Sequence, residues 1–333
     1  SPEAVLKHFV VPLVMSTTLS IGGCSYVQGY FSTTDEASMK QAAETVAETV
    51  KTAAENSDNA EQSTISTMYS KASEAISQTL SETLTGEGSR TKVSISAQDN
   101  EDTSGSILNV SRLGTDTKYK TDFIQSSLMV KPKRSTVNLG MGRRYITEDE
   151  STIYGANAFV DYAPDYGHQR ASLGVEVKRS AIELTANKYF RLSGWKSGKN
   201  GKNERVMDGH EIELGGQVPY IPSAKVFIKN WEWKGVSKIK GYTYSMELSQ
   251  LLSNHITVEA GVKDFDGSTD SENFIKLSYN YRFGDDGKSA ERSRFISSEM
   301  FESKSMRPHL LDEVRRSNEI VYETEFSTSA GGV

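Results

Sequence analysis

The chain holds 333 residues, with 38 Lys and Arg against 44 Asp and Glu, for a formal charge of −6. That balance argues against a nucleic-acid binder, which carries a basic face. A single cysteine, Cys24, rules out an intrachain disulfide and a cysteine-based metal site. Beyond the N-terminal region no apolar run approaches the roughly 18–20 residues of a membrane helix. A helical membrane protein is therefore excluded, whereas a β-barrel is not, because its strands alternate apolar and polar residues.

Residues 9–23 (FVVPLVMSTTLSIGG) follow Lys7 and His8 and have the size of a signal-peptide apolar region. Residues 1–24 are read as an export signal. Ile21-Gly22-Gly23-Cys24 has the form of a lipobox, so Cys24 is either a lipidation site or an incidental cysteine. Both readings take the chain out of the cytoplasm, and scarce cysteine fits an oxidising periplasm. Residues 25–89 are expected to form a helical periplasmic lead segment. Val46, Val50 and Ala53, and then Ile65, Met68, Tyr69, Ala72, Ala75, Ile76, Leu80 and Leu84, recur at the three-to-four step of an amphipathic helix. Such a segment serves as a spacer or as a periplasmic plug.

From Thr91 the period becomes two. In 170–178, Ala171, Leu173, Val175 and Val177 share one face, while Arg170, Ser172, Gly174, Glu176 and Lys178 share the other. Twelve such segments are expected, near 91–98, 105–113, 122–131, 134–146, 151–163, 168–178, 181–192, 208–219, 222–233, 239–250, 255–265 and 272–283. Most run longer than the 5–6 residues typical of soluble sheets and match a tilted membrane crossing. The expected fold is all-β, a twelve-stranded antiparallel transmembrane β-barrel over 90–284, preceded by an α-helical segment. The polar faces, with Glu176, Glu183, Arg191, Glu211, Glu213, Glu247, Glu259, Lys276 and Arg282, would line a hydrated lumen. Tyr162, Phe190, Trp195, Tyr220, Trp231, Trp233 and Phe283 sit near strand ends, where a bilayer-interface girdle is expected. Arg143 and Lys188 fall on apolar-side positions.

Short connections at 179–180 and 220–221 and a long one at 193–207 suggest alternating short and long loops. The long one carries Lys196, Lys199, Lys202 and Arg205. It is read as a solvated extracellular loop, with contact to lipopolysaccharide phosphates as the functional alternative. Asp161, Asp165 and His168 cluster near one connection. A rim hydrolase would need such groups to activate water, but plain loop polarity accounts for them. No nucleophile elbow, phosphate loop, metal-ligand spacing or cofactor motif occurs, and the chain is not read as an enzyme. Strand glycines, among them Gly140, Gly142, Gly155, Gly174, Gly215 and Gly261, are expected to permit bends or leave room inside the lumen.

Several stretches together resemble the inverse autotransporters, the intimin and invasin family of bacterial outer membranes. They are GMGRRY (140–145), YGANAFVDY (154–162), GHQRASLGVE (167–176), ANKYFRLSGW (186–195), ER with DGHEI (204–212) and VPYIP (218–222). Looser similarity covers RTKVSISA (90–97) and LLDEVRRSNEIVYE (310–323). The matching positions are Gly140, Gly142, Arg143, Asn157, Phe159, Asp161, Tyr162, Arg170, Gly174, Glu176, Asn187, Tyr189, Arg191, Trp195, Glu204, Arg205, Gly209, Pro219 and Pro222.

The resemblance implies a barrel that anchors and exports a passenger, with the post-barrel chain, 285–333, threading the pore. Arg307, Asp312, Arg315 and Arg316 would then pair with lumen charges, and Leu310, Leu311, Val314 and Ile320 would form a short helical ridge. It also implies as partners the outer-membrane lipid and lipopolysaccharide, the barrel-assembly machinery, periplasmic chaperones and, through a passenger, a host-cell surface. Few residues follow Tyr322, against the roughly 100 of an Ig-like domain, so the passenger is expected to be absent or truncated. A freestanding pore or envelope component is the alternative.

Overall fold

A computed structural model describes residues 88–99, 104–114, 116–131, 134–250, 255–268, 271–283, 296–301, 303–325 and 327–329. The signal and lipobox readings, Cys24 included, and the helical reading up to residue 87 lie outside the described residues.

Twelve antiparallel strands close into one barrel. They are β1 (Ser89–Gln98), β2 (Ser104–Arg112), β3 (Lys120–Val130), β4 (Thr136–Ile146), β5 (Thr152–Ala163), β6 (His168–Arg179), β7 (Ile182–Arg191), β10 (Asp208–Val218), β11 (Ile221–Lys234), β12 (Lys238–Ser249), β13 (Ile256–Phe265) and β14 (Ser271–Phe283). Each pairs with the next, and β14 pairs back onto β1 from Ser89↔Phe283 to Gln98↔Phe274. Closure leaves no unpaired sheet edge, which is the condition for a sheet to sit in hydrocarbon. The alternation of the sequence sets the faces. Val177, Leu184, Leu214, Ile228 and Tyr244 line up across five neighbouring strands and all point outward, exposed. A belt of that breadth exceeds what a soluble monomer leaves in water. Inside, Arg144, Asp161, Arg170 and Glu211 are buried. The polarity is inverted relative to a soluble protein.

Strand boundaries fall within about two residues of the expected ones, but four expectations change. Trp231 and Trp233 are not girdle residues. Both point inward, 3% exposed, and pack with Tyr189, Met207 and Val321. Aromatic rings, Phe227 among them, occupy the lumen face of their strand. The connections do not alternate in length. At one end lie 113–119, 147–151, 180–181, 219–220 and 250–255 (the turn end); at the other lie 99–103, 131–135, 164–167, 192–207, 235–237 and 266–270 (the loop end). Only 192–207 is long.

That connection is not a free solvated loop either. It contains β8 (Lys196–Ser197), a 3-10 turn (Lys199–Gly201) and β9 (Asn203–Val206). These join β15 (Tyr322–Thr324) and β16 (Ser327–Ser329) in a four-stranded sheet ordered β16-β15-β9-β8. Finally, the helical ridge does not form. Among its described residues the segment has no helix beyond the 3-10 turn Arg307–His309. Leu310 packs with Ile146 and Ile153, Leu311 and Val314 with Phe123 and Phe159, and Ile320 with Ala163 and Val206. Residues spaced for one helical face instead meet three separate parts of the wall.

Local rules explain one irregularity. The β10–β11 pairing shifts after Gln217↔Lys225, next to Val218↔Ile221. Pro222 falls in the resulting bulge, where no strand partner needs the N–H that proline lacks.

Candidate functional site: a charged lumen crossed by the chain itself

The next described residues after β14, 296–301, lie at the turn end. Tyr220, held at a left-handed φ of 64° in the two-residue β10–β11 turn, donates its N–H to Met300 and accepts from the Ser297 N–H. Next, Met306 N–H donates to the Glu150 carbonyl in the β4–β5 turn, and Arg307 Nε meets the Glu150 carboxylate at 2.6 Å. From Leu310 the chain enters the lumen, and it leaves at the loop end, where Met207 N–H donates to the Val321 carbonyl at 2.9 Å.

Within the lumen, wall side chains grip both backbone and side chains. Arg144, fully buried, donates to Glu176 (2.5 Å) and to the carbonyls of Leu310 (2.9 Å) and Asp312 (2.7 Å). Asp312 pairs with Arg90, and Glu313 pairs with Lys92 at 2.6 Å. Gln125 accepts the Val314 N–H. Arg315 pairs with Glu213 and reaches Glu259 at 3.1 Å. Arg316 forms a two-pronged pair with Asp161, at 2.9 and 2.7 Å. Arg170 holds the same carboxylate at 2.7 Å and donates to the carbonyls of Ser317 and Glu319. Asn138 and Asn187 donate to the Asn318 and Arg315 carbonyls. Tyr189 OH donates to Glu211 and accepts the Ser317 N–H. Lys131 closes on Glu319 at 2.8 Å. Buried charges of this kind persist only when paired and hydrogen-bonded.

The glycines make room for rings rather than for bends. A Cβ on Gly140 would lie 2.3 Å from the Phe159 ring on the neighbouring strand, and one on Gly209 would lie 2.1 Å from Trp233. Gly142 faces Phe123 and Gly215 faces Phe227 in the same way. Each ring lies against the wall and offers its face to a guanidinium: Arg316 over Phe159 at 4.3 Å, Arg144 over Phe123 at 4.4 Å, Arg315 over Phe227 at 3.7 Å. Gly174 leaves space for the amides of Asn157 and Asn187.

At the loop end, Glu204 is buried between Arg134 (2.6 and 2.5 Å) and His168 Nε2 (3.1 Å). Burial raises the cost of its charge, but the Arg134 and His168 contacts win and hold its carboxyl at about 2. Glu323 accepts from Arg205 Nε at 2.8 Å and from the Val236 N–H at 2.6 Å. A Cβ on Gly235 would strike that carboxylate.

The residues singled out from sequence thus divide. Asp161, Arg170, Glu176, Asn187, Tyr189, Arg315 and Arg316 converge on the threaded segment. Glu204 and Arg205 hold the exit sheet, and Trp195 stacks under Arg205 at 4.7 Å. Arg143 points outward and pairs with Asp122 at 2.6 Å; Tyr162 also faces outward; Arg191 N–H donates to Asp208. Pro219 lies in the β10–β11 turn. Asp161, Asp165 and His168 do not form a water-activating group: Asp161 is clasped by two arginines, Asp165 accepts the Ser135 N–H, and His168 lies between Glu204 and Ser193. Ser193 Oγ accepts the Gln169 N–H, and Glu204 is committed to Arg134. These groups fasten β9 to the wall. The sequence reading missed Lys131, Phe123, Phe227 and Glu323. For Glu323 the signal was its place in the family-like stretch 310–323.

An outward apolar belt, a closed twelve-stranded barrel and a lumen occupied by the chain's own continuation define an integral β-barrel of the outer membrane. The chain belongs to the family described as inverse autotransporter, beta-domain, whose model matches residues 37–318. It is 31% identical over 115 residues to the invasin of Yersinia enterocolitica, covering 34% of this chain and 14% of that protein. With the intimin of Citrobacter freundii it shares 24% over 225 residues, 62% of this chain and 23% of that one. The chain therefore spans less than a quarter of either relative. A solved membrane-protein structure, described as "Unveiling the Mechanism Behind the in-meso Crystallization of Membrane Proteins", has the same fold, with a TM-score of 0.60 at 20% identity, covering 71% of this chain and all of that one.

Proposed function

We propose that this barrel anchors and exports a surface polypeptide continuing from its C-terminal end. The observation that carries the reading is the course of 303–325, which enters at the turn end and leaves at the loop end. The turn end faces the periplasm and the loop end faces the outside. Export requires a hydrated bore, which the charged wall provides, and anchoring requires that the exported chain not slip back, which the exit sheet resists. The barrel performs no chemistry of its own.

Its partners follow from the same reading. Lipid meets the outward belt. Lipopolysaccharide phosphates meet outward cations such as Lys188, beside His210 on the next strand. Within 193–207, Lys196 is already engaged with the Gly167 carbonyl and Arg205 with Glu323, which leaves half-buried Lys199 and exposed Lys202 for such contact. The barrel-assembly machinery and periplasmic chaperones handle insertion, and a host-cell surface is the target of a passenger. The test is maleimide-biotin labelling, from outside intact cells, of a cysteine introduced at Ser329 or at Ser298. Residues 324–333 are expected to be labelled while 296–301 are protected; labelling of 296–301 alone would reverse the orientation and overturn export.

A further inference from the structure

The charges on the threaded segment are sorted along its length. Asp312 and Glu313 come first, Arg315 and Arg316 next, Glu319 and Glu323 last. The wall answers each group with the opposite sign. Arg90 and Lys92 take the first group, with Arg144 and Lys178 on the adjoining carbonyls. Asp161, Glu213 and Glu259 take the second. Lys131 and Arg205 take the third. In the middle zone the wall carboxylates Asp161, Glu211, Glu213, Glu247 and Glu259 outnumber the nearby wall cations Arg170, Lys229 and Lys276 by two, and Arg315 and Arg316 make up the difference.

Two kinds of contact are superposed here. Arg144, Arg170, Lys178, Asn138 and Asn187 donate to backbone carbonyls, which any extended chain can offer. Those contacts hold a passing chain whatever its sequence. The side-chain pairs, in contrast, fit only one order of charges at one height. We infer that this negative–positive–negative order is an arrest code, a stop that halts a chain moving through the barrel at one axial position. The inference rests on the export reading above.

The physics follows from the spacing. An extended chain advances about 3.3 Å per residue. A slip of three residues toward the turn end brings Arg315 and Arg316 level with the Lys92–Arg144–Lys178 belt. A slip of the same size toward the loop end brings Asp312 and Glu313 level with Glu213 and Glu259. Either way like charges face each other at close range across the bore, and the buried former partners lose their counter-charges. Apolar contacts cannot substitute. Leu311 and Val314 pack among Leu108, Phe123 and Phe159, and such packing is non-directional.

The test reads axial position in the full chain assembled in cells. The Asn138 amide touches the Asn318 carbonyl, so Asn138→Cys combined with Asn318→Cys should join through a short thiol-to-thiol cross-linker. In that background, Asp312→Lys with Glu313→Lys is expected to cut the cross-link yield by at least tenfold. Asp312→Asn with Glu313→Gln, which removes attraction without adding repulsion, should spread cross-linking over neighbouring segment positions. A second route avoids the turn end: Glu319→Lys should lose the product and added Lys131→Glu should restore it. No product in the parent double-cysteine chain would overturn threading, and export with it. Product in the parent that persists unchanged after inversion, or that Lys131→Glu fails to restore, would overturn the arrest code alone.

Discussion

Asp161 is one of the side chains that join several strands to the threaded chain. Its carboxylate is fully buried and binds Arg170, Arg316 and Asn138, so it ties β4, β5 and β6 to the threaded chain. Asp161→Ala leaves two buried guanidiniums without their counter-charge, which is expected to cost about 3–5 kcal/mol, measured by urea unfolding of the barrel in bilayers. Gly209→Ala forces the Trp233 ring off the wall and should cost about 1–3 kcal/mol by the same assay. Glu204 gives a pH dependence. Its folded value near 2 lies below its ordinary 4.5. Its contribution, roughly 3 kcal/mol, is therefore complete above pH 4.5 and disappears as the pH falls through 2. Amide exchange of β9 and β15 should accelerate in that window while β5 and β6 stay protected. The roles of Asp161 and Arg170 were only partly legible in sequence. Alternation placed Arg170 on a polar face and Asp161 passed for loop polarity, but nothing local told which partners would cross from the distant segment 316–319.

At the scale of elements, the alternation of apolar and polar residues identified the strands almost to the residue, because lipid and lumen impose opposite demands on successive side chains. It failed where the lumen itself accepts apolar surface. Trp231, Trp233, Phe227 and Phe123 point inward because glycines opposite them give the rings space and arginines stack on their faces. It failed again for 193–207 and 310–323. Neither segment can be read alone, since β15 pairs with β9 from more than 100 residues away and completes the sheet that β8 and β9 begin. The two should therefore order together. Glu323→Ala removes the link to Arg205 and the Val236 N–H, and surface protease should then cut within 193–207 at several times the normal rate.

For the whole molecule, the outward belt and the filled bore are two sides of one arrangement. Replacing Ile228 by Arg on the belt should weaken insertion by about 2–4 kcal/mol near the bilayer centre, whereas charges of both signs are already native on the inner face, at Lys229 one residue away and at its partner Glu213. The measurement that bears most directly on a barrel closed by its own chain is single-channel conductance in planar bilayers, comparing the full chain with one ending at residue 302. The full chain should pass little current and the shortened barrel should open to steady porin-like conductance. Equal, open conductance in both would contradict a lumen filled by residues 303–325.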